Sequence, residues 1–202
     1  KKVDDYPYGG GFGMLMMCQP VFDAIKSVPK AHTIYMSPKG TVLTQNRAME
    51  LSKIHNINIL CGHYEGIDQR IIDMLVDEEI SCGDYIVSGG ELPAMILIDC
   101  ISRLVDNVLP QPQSFIDESH TDNLLECHQY TRPEIYNELS VPSVLLSGHH
   151  KNIDEFRLAQ SIYLTLLNRP DMLMKRKITK KELKIFLIYY PQMKDDIINF
   201  VE

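Results

Sequence analysis

Short apolar segments separated by turn-forming residues dominate the first three quarters of the chain. Residues 33–36 are apolar and partly β-branched, which predicts a strand, and residues 37–40 contain Pro and Gly, which predict a loop after it. The same reasoning predicts strands at residues 57–61, 85–87 and 143–146, and helices at residues 43–54 and 67–76. Four glycines within residues 9–13 predict an irregular start.

The longest amphipathic segment comes next. Apolar residues at positions 92, 95, 96, 98, 101, 104, 105 and 108 follow the roughly 3.6-residue period of a helix. Residues 109–123 hold two prolines and several acids, which predict a loop. From residue 151 onwards the pattern is helical. Asn152 with Glu155, and again Thr179 with Glu182, have the spacing of a capping box.

Strands that alternate with helices, followed by helices alone, predict an α/β domain with a parallel sheet and then a small all-helical domain. We place the first domain at residues 1–115, an interdomain loop at residues 116–140 and the helical domain at residues 141–202.

Composition indicates an ordinary globular protein. Of the 202 residues, 45% are hydrophobic and 23% charged. The apolar runs are shorter than the roughly 18 residues of a membrane span, so no membrane association is expected. The five cysteines are odd in number and form no C-x-x-C pair, which argues against a disulfide framework and a structural zinc site. No metal site is expected, and this cysteine usage favours a reducing, cytoplasmic setting.

The net charge of −7 by itself disfavours a nucleic-acid partner. Basic residues nevertheless cluster near the end of the chain, at Lys175, Arg176, Lys177, Lys180, Lys181 and Lys184. Two interpretations stay open for this cluster: a solvated helix surface, or a face that holds phosphate together with Arg157.

Three loops rich in small or polar residues follow predicted strands, at residues 37–40, 62–66 and 88–91. Ligands of open α/β sheets bind at the carboxyl ends of strands, so three such loops predict one shared pocket. Each loop alone is more often an ordinary turn. The G-x-G-x-x-G and P-loop signatures are absent, which disfavours a dehydrogenase and a P-loop NTPase.

A cation and several carboxylates lie around the end of the long helix. Arg103 sits among apolar residues, where it either extends to solvent or points into a site. Asp117, Glu118 and Asp122 follow in the loop. A carboxylate that takes a proton and a cation that stabilises the developing charge suit proton removal from an amide-like N–H, although the residues leave other chemistries open.

Six segments of the chain are long and distinctive. They are VDDYPYGGGFGMLM from Val3, YMSPKG from Tyr35, CGHYEGID from Cys61, GDYIVSGGELPA from Gly83, QYTRPE from Gln129 and VLLSGH from Val144. Together they resemble bacterial tRNA (guanine-N1)-methyltransferases of the TrmD family. Their order and spacing agree with the family from Val3 to about Pro170.

The resemblance implies a SPOUT-class parallel sheet with a deep trefoil knot and a homodimer with sites at the subunit interface. It also implies methylation of N1 of the tRNA guanine 3′ of the anticodon, with S-adenosyl-L-methionine as methyl donor. The cofactor residues it assigns are Tyr35, Met36, Ser37, Pro38, Gly62, Ser81, Cys82, Gly83, Tyr85, Val87, Gly89 and Gly90. The residues it assigns to the target guanine are His63, Glu65 and Gly66.

Arg103 matches the family's catalytic arginine, and the chain departs from the family at the general base. Glu118 stands where the family usually has Asp, and Asp117 is adjacent, so both remain candidates. His63 stands where many members have Arg. The family has a further strand and helix before the Asp4-Asp5 motif, which implies that this chain is part of a longer one. The alternatives are a paralogue that binds tRNA or cofactor without activity, and an enzyme that acts on ribosomal RNA.

Overall fold

The computed structural model describes residues 2–106, 108 and 118–202. The chain divides into two compact units, Lys1–Pro112 and Gln113–Glu202. The first unit combines a parallel sheet with helices and the second is mainly helical. The pattern of strands and helices predicts this fold class, and the structure confirms it.

The glycine-rich segment lies near the start of the first unit and is irregular, as predicted. It lies between two short strands, β1 (Asp4–Asp5) and β2 (Leu15–Met16), which pair in antiparallel fashion. Helix α1 (Cys18–Lys26) follows and buries Val21. The sequence pattern did not predict α1.

A three-stranded parallel sheet forms the centre of this unit. Its middle strand is β3 (His32–Val42), with β4 (Ile57–Cys61) on one side and β5 (Glu78–Ser81) on the other. The predicted strands at residues 33–36 and 57–61 are confirmed. The pairing of β3 with β5 shifts register between Met36 and Thr41, so the predicted loop at residues 37–40 is an irregularity within a longer strand.

Helices pack on both faces of the sheet. They are α2 (Gln45–Leu51), α3 (Gln69–Leu75) and α4 (Glu91–Ser102), all close to their predicted positions. On one face Ile34 and Ile80 pack with Leu97 of α4. On the other face Tyr35 packs with Ile71 of α3. Because neighbouring strand residues point to opposite faces, β3 is buried from both sides.

The predicted strand at residues 85–87 is wrong. The third strand is β5, and Ile86 lies in an irregular segment with 80% of its surface exposed. Two acidic residues, Glu78 and Glu79, make β5 look like a loop in sequence. The fold accommodates Glu78 because Arg47 of α2 donates to its carboxylate at 2.8 Å.

The second unit contains a short hairpin and a set of helices. The hairpin consists of β6 (Ile135–Tyr136) and β7 (Leu139–Ser140). The helices are α5 (Ser143–Leu146), α6 (His150–Asn168), α7 (Pro170–Arg176), α8 (Lys180–Tyr189) and α9 (Lys194–Ile197). The core centres on Phe186, Ile162 and Leu173.

Two predictions for this unit are wrong and one is confirmed. Residues 143–146 form a helical turn rather than a strand, because Pro142 supplies a compatible N-cap geometry just before it. Asn152 does not cap α6, which already begins at His150. The capping box of Thr179 and Glu182 is present at the start of α8.

The segment before the hairpin packs along α6. The backbone N–H of Leu125 donates to Thr165 Oγ1 at 2.8 Å, and that of His128 donates to Gln160 Oε1 at 2.9 Å. Gln160 and Thr165 are buried, so these bonds fix the segment to the helix. Among the described residues, no helix is both long enough and apolar enough to cross a membrane.

Candidate functional site

A cavity of about 490 Å³ opens in the first unit, beside the carboxyl ends of the parallel strands. Its walls come mainly from four segments, at residues 35–39, 62–67, 80–83 and 85–90. This volume falls in the range of about 300–1,000 Å³ that small-molecule sites occupy. The three loops singled out from the sequence therefore do converge on one pocket.

Every residue that the resemblance assigns to the cofactor lines this cavity. The set is Tyr35, Met36, Ser37, Pro38, Gly62, Ser81, Cys82, Gly83, Tyr85, Val87, Gly89 and Gly90. His63, Glu65 and Gly66, which the resemblance assigns to the guanine, also line it. Arg103, Glu118 and Arg157 do not appear in the lining that the described residues form.

Gly90 joins the loop before α4 to the end of β4. Its backbone N–H donates to the carbonyl of Gly62 at 3.0 Å. A Cβ at this position would lie 2.6 Å from the Cα of Cys61 and 2.9 Å from the backbone N of Gly62. Those atoms belong to the backbone and have no rotamer by which to retreat, so the close approach requires glycine.

The loop at residues 62–66 is held in place by the glycine-rich start of the chain. Glu65 donates its backbone N–H to the carbonyl of Met14 at 2.9 Å, and Met16 donates to the carbonyl of Gly66 at 2.9 Å. A Cβ on Gly13 would lie 2.6 Å from the Glu65 side chain. The irregular segment thus supports one wall of the cavity.

The loop after β5 folds back on itself. Ser81 Oγ accepts the N–H of Gly83 at 3.2 Å and donates to the carbonyl of Gly83 at 3.0 Å. Tyr85 donates its hydroxyl to the carbonyl of Cys82 at 3.3 Å, and its ring covers Gly83. This wall presents an aromatic ring and backbone groups, which suit a flat heteroaromatic ligand.

Burial favours the neutral form of one hydroxyl and two thiols at the cavity. Burial, followed by the charge of Glu79, raises the pKa of the Tyr35 hydroxyl. Burial likewise raises the pKa of the Cys61 and Cys82 thiols. A thiol must ionise to act as a nucleophile, so these two cysteines do not suit covalent catalysis.

The cavity also has charged side chains near it. Lys39 and Glu65 contribute to the lining. His63 Nε2 and Glu91 Oε1 are hydrogen-bonded, which links the loop after β4 to the first residue of α4. The pKa of Glu91 is lowered, first by its own backbone N–H and then by His63.

Arg103 and Glu118 belong to different units. Arg103 is the C-cap of α4, and its backbone N–H donates to the carbonyl of Asp99 at 3.3 Å. Glu118 lies in the second unit, half-buried, and its carbonyl accepts the N–H of Thr121 at 3.3 Å. Asp117, the other candidate base, lies outside the described residues.

Sequence reasoning missed several lining residues. Lys39 lies inside a predicted loop and is the only lysine among the described lining residues. Its positive charge is the feature of the sequence that could have identified it. Leu15 gives no local signal. It reaches the cavity because β2 bridges to Ile67 through Met16, which is a long-range pairing.

Known proteins resemble the chain over most of its length. The family model described as tRNA (Guanine-1)-methyltransferase TrmD matches residues 1–175. A tRNA (guanine-N(1)-)-methyltransferase from Ruminiclostridium cellulolyticum is 60% identical over 180 residues, which cover 87% of this chain and 77% of that protein. A protein of the same name from Caldanaerobacter subterraneus is 54% identical, over 91% of this chain and 77% of that protein. One from Clostridioides difficile is also 54% identical, over 87% of this chain and 78% of that protein.

Proposed function

The chain belongs to the tRNA (guanine-1)-methyltransferase TrmD family, and on that premise we propose that it methylates N1 of a guanine in tRNA. The methyl donor is S-adenosyl-L-methionine and the target is the guanine 3′ of the anticodon. The observation that carries the proposal is the cavity of about 490 Å³ that gathers all the family-matched cofactor loops. The reaction takes place in the cytoplasm, where tRNA is processed.

The residues of the cavity fit this cofactor. Glycines at positions 62, 89 and 90 expose backbone groups, and Tyr35 and Tyr85 supply aromatic walls for an adenine. The close packing of Gly90 on Cys61 and Gly62 leaves no room for a side chain where the loops meet. When bound, S-adenosyl-L-methionine supplies an activated methyl group on a positively charged sulfur.

The chain's own part in the chemistry is to position the guanine and to take its proton. His63, Glu65 and Gly66 would contact the base from the loop after β4. The N1 proton is weakly acidic, so a carboxylate must accept it, and Glu118 is our choice. The guanidinium of Arg103 would stabilise the negative charge that develops on the neighbouring guanine oxygen.

The second unit would hold the RNA. The exposed lysines at positions 175, 177, 180, 181 and 184, together with Arg157, supply positive charge for the phosphate backbone. Arg176 is different, because it is bound by Asp122 and Glu182 and is only 16% exposed. Its charge is already neutralised within the unit.

A second copy of the chain would complete the enzyme. Helix α4 exposes a row of large apolar side chains, among them Leu92, Met95 and Ile98, at 61%, 65% and 51%. Such a face normally packs against a partner, which supports the homodimer of the family. Met95→Glu should then yield a monomer in sedimentation, and a wild-type monomer at working concentration would overturn this assembly.

We also propose the family's deep trefoil knot for the sheet. A knot requires a later segment to pass through an earlier loop. The hydrogen bond from Gly90, which follows β5, to Gly62, which follows β4, brings two such segments into the contact that this passage would need.

Methylation of an unmodified tRNA transcript tests the activity. The transcript should gain one methyl group from labelled S-adenosyl-L-methionine, and nucleoside mass spectrometry should identify 1-methylguanosine. A matched transcript with adenine 3′ of the anticodon should gain none. Binding of tRNA or cofactor without methyl transfer would identify an inactive paralogue, and transfer to ribosomal RNA fragments alone would identify a different substrate.

A further inference from the structure

The second unit has a cavity of its own, with a volume of about 630 Å³. One wall is the segment that runs from His128 to Glu134, and another part of the lining is Arg157 of α6. Of its lining residues the proposed function uses only Arg157, as one positive charge for RNA phosphate, and the cofactor loops belong to the other unit.

Two arginines of this cavity have no charge partner. Arg132 and Arg157 are exposed, and neither forms an ion pair or hydrogen bond with another described residue. Other arginines of the unit behave differently. Arg169 is paired with Asp171 at 2.8 Å, and Arg176 is paired with Asp122 and Glu182. In a chain of net charge −7, two uncompensated guanidinium groups on one concave surface favour an anionic ligand.

The rest of the lining combines polar side chains, among them Gln129 and Thr131, with an aromatic ring and apolar side chains. Tyr130 is 43% exposed, and Leu145 and Ile153, which line the same cavity, are half-buried. An inorganic anion would not need such a surface. A nucleotide would use both parts, because its phosphate binds guanidinium groups and its base stacks on an aromatic ring.

The segment and α6 are fixed to each other. The N–H of His128 donates to Oε1 of the buried Gln160 of α6 at 2.9 Å. At the other end of the segment, the carbonyl of Glu134 accepts the N–H of Val141 at 2.9 Å. The backbone that carries Arg132 is therefore held on the helix that carries Arg157, so little ordering is needed when a ligand binds.

We propose that this cavity is a nucleotide subsite for the RNA strand of the substrate. Arg132 and Arg157 bind phosphate oxygens, and Tyr130 stacks on a base. Glu134 lines the same cavity, and its negative charge opposes phosphate and limits the affinity. The inference rests on the proposed function, because that function makes RNA the substrate.

Binding of unmodified tRNA over a series of salt concentrations tests the subsite. Arg132→Gln and Arg157→Gln should each weaken binding. Each should also reduce the slope of log K against log salt by about 0.7–0.9 for the lost phosphate contact. Glu134→Gln should tighten binding. Tyr130→Leu should weaken binding without a change of slope, since the ring carries no charge.

Lys151→Gln is the matched control. Lys151 lies on the same helix with 85% of its side chain exposed, and it does not line the cavity. Its loss should leave the affinity and the slope close to wild type. Turnover should also be unchanged in Lys151→Gln.

Wild-type affinity and slope in both arginine variants would overturn the proposal. An unchanged affinity in Tyr130→Leu would overturn its nucleotide part and leave an anion site, which binding of orthophosphate alone would then show. These outcomes are separable from a failure of the proposed function. A wild-type protein that binds tRNA through Arg132 and Arg157 but makes no 1-methylguanosine would keep the subsite and lose the activity.

Discussion

His63 and Glu91 are hydrogen-bonded between their side chains and join two segments at the cofactor cavity. His63 belongs to the loop after β4, and Glu91 is the first residue of α4. Both side chains are about half exposed, at 51% and 56%. The pair therefore orders the loops more than it stabilises the fold.

Glu91→Gln should weaken binding of S-adenosyl-L-methionine by no more than about fivefold, because exposed pairs contribute little. Calorimetry measures the change. His63→Arg, which keeps a donor opposite Glu91, should retain wild-type affinity. Glu50→Gln removes an exposed carboxylate from α2 outside the cavity and serves as control. A loss of affinity in the control equal to that in Glu91→Gln would contradict the role of the pair.

Gly90→Ala should destabilise the first unit and abolish cofactor binding. The added Cβ would lie 2.6 Å from the Cα of Cys61, and such overpacking costs about 1–3 kcal/mol. Gly89→Ala is the matched control. A Cβ there meets the ends of the Glu91 and His63 side chains, which can move. Gly89→Val should still block the cofactor, because its branched side chain enters the cavity. Urea unfolding and calorimetry report both effects. Equal stability of the two alanine variants would be inconsistent with this packing.

Acid should weaken the first unit through Glu78. Arg47, by its hydrogen bond, and then His32 lower the pKa of Glu78 below the ordinary glutamate value of 4.5. A carboxylate whose pKa is lower in the folded state stabilises the fold above its unfolded pKa. That contribution is lost as the pH falls through the folded value. Glu78→Gln should therefore flatten the decline of unfolding free energy below pH 4.5.

The helices and strands predicted well from sequence are those whose conformation is determined by their own residues. Residues 57–61 are apolar except for Asn58, and α4 keeps its helical period. By contrast, β5 carries Glu78, which becomes acceptable in a strand only when Arg47 from α2 reaches it. Ile86 and Val87 look like strand residues but are exposed. Such outcomes depend on contacts distant in sequence, which local propensity does not contain.

The residues of the candidate site also differ in how far the sequence predicts them. The glycine loops could be found from sequence, because glycine marks close backbone approach. Gly90 makes such a close approach to the backbone of Cys61 and Gly62. Leu15 could not be found, since it reaches the cavity through the pairing of β2. The choice of Glu118 and Arg103 came from the resemblance, and no spacing rule would have selected them.

The lysines of the second unit should govern the salt dependence of tRNA binding. Replacing Lys180, Lys181 and Lys184 of α8 by Gln should weaken binding. It should also lower the salt slope by up to about one unit for each lost phosphate contact. Arg176→Gln should instead lower stability, since its partner Glu182 belongs to the capping box of α8. Filter binding and thermal unfolding separate the two effects. A wild-type slope in the triple variant would show that these lysines are only solvated.

The last prediction concerns the departure from the family at the general base. Glu118→Gln keeps the size of the side chain but cannot accept the N1 proton. Turnover should therefore fall roughly 10²–10⁴-fold, the usual contribution of a positioned base. Cofactor affinity should stay near wild type, because Glu118 does not line the cofactor cavity. Glu118→Asp should retain activity, since it restores the residue usual in the family.

Arg103→Lys should also be slow, because an ammonium group lacks the planar donors of a guanidinium. Single-turnover kinetics with saturating tRNA and donor measure all these variants, and Asp122→Asn is the matched acid control. Asp122 is already engaged by Arg176, so its loss should leave turnover near wild type. If Glu118→Gln keeps near-normal turnover while Asp117→Asn loses it, the base is Asp117, one residue earlier. The extra methylene of Glu118, relative to the family's Asp, would then have no catalytic role.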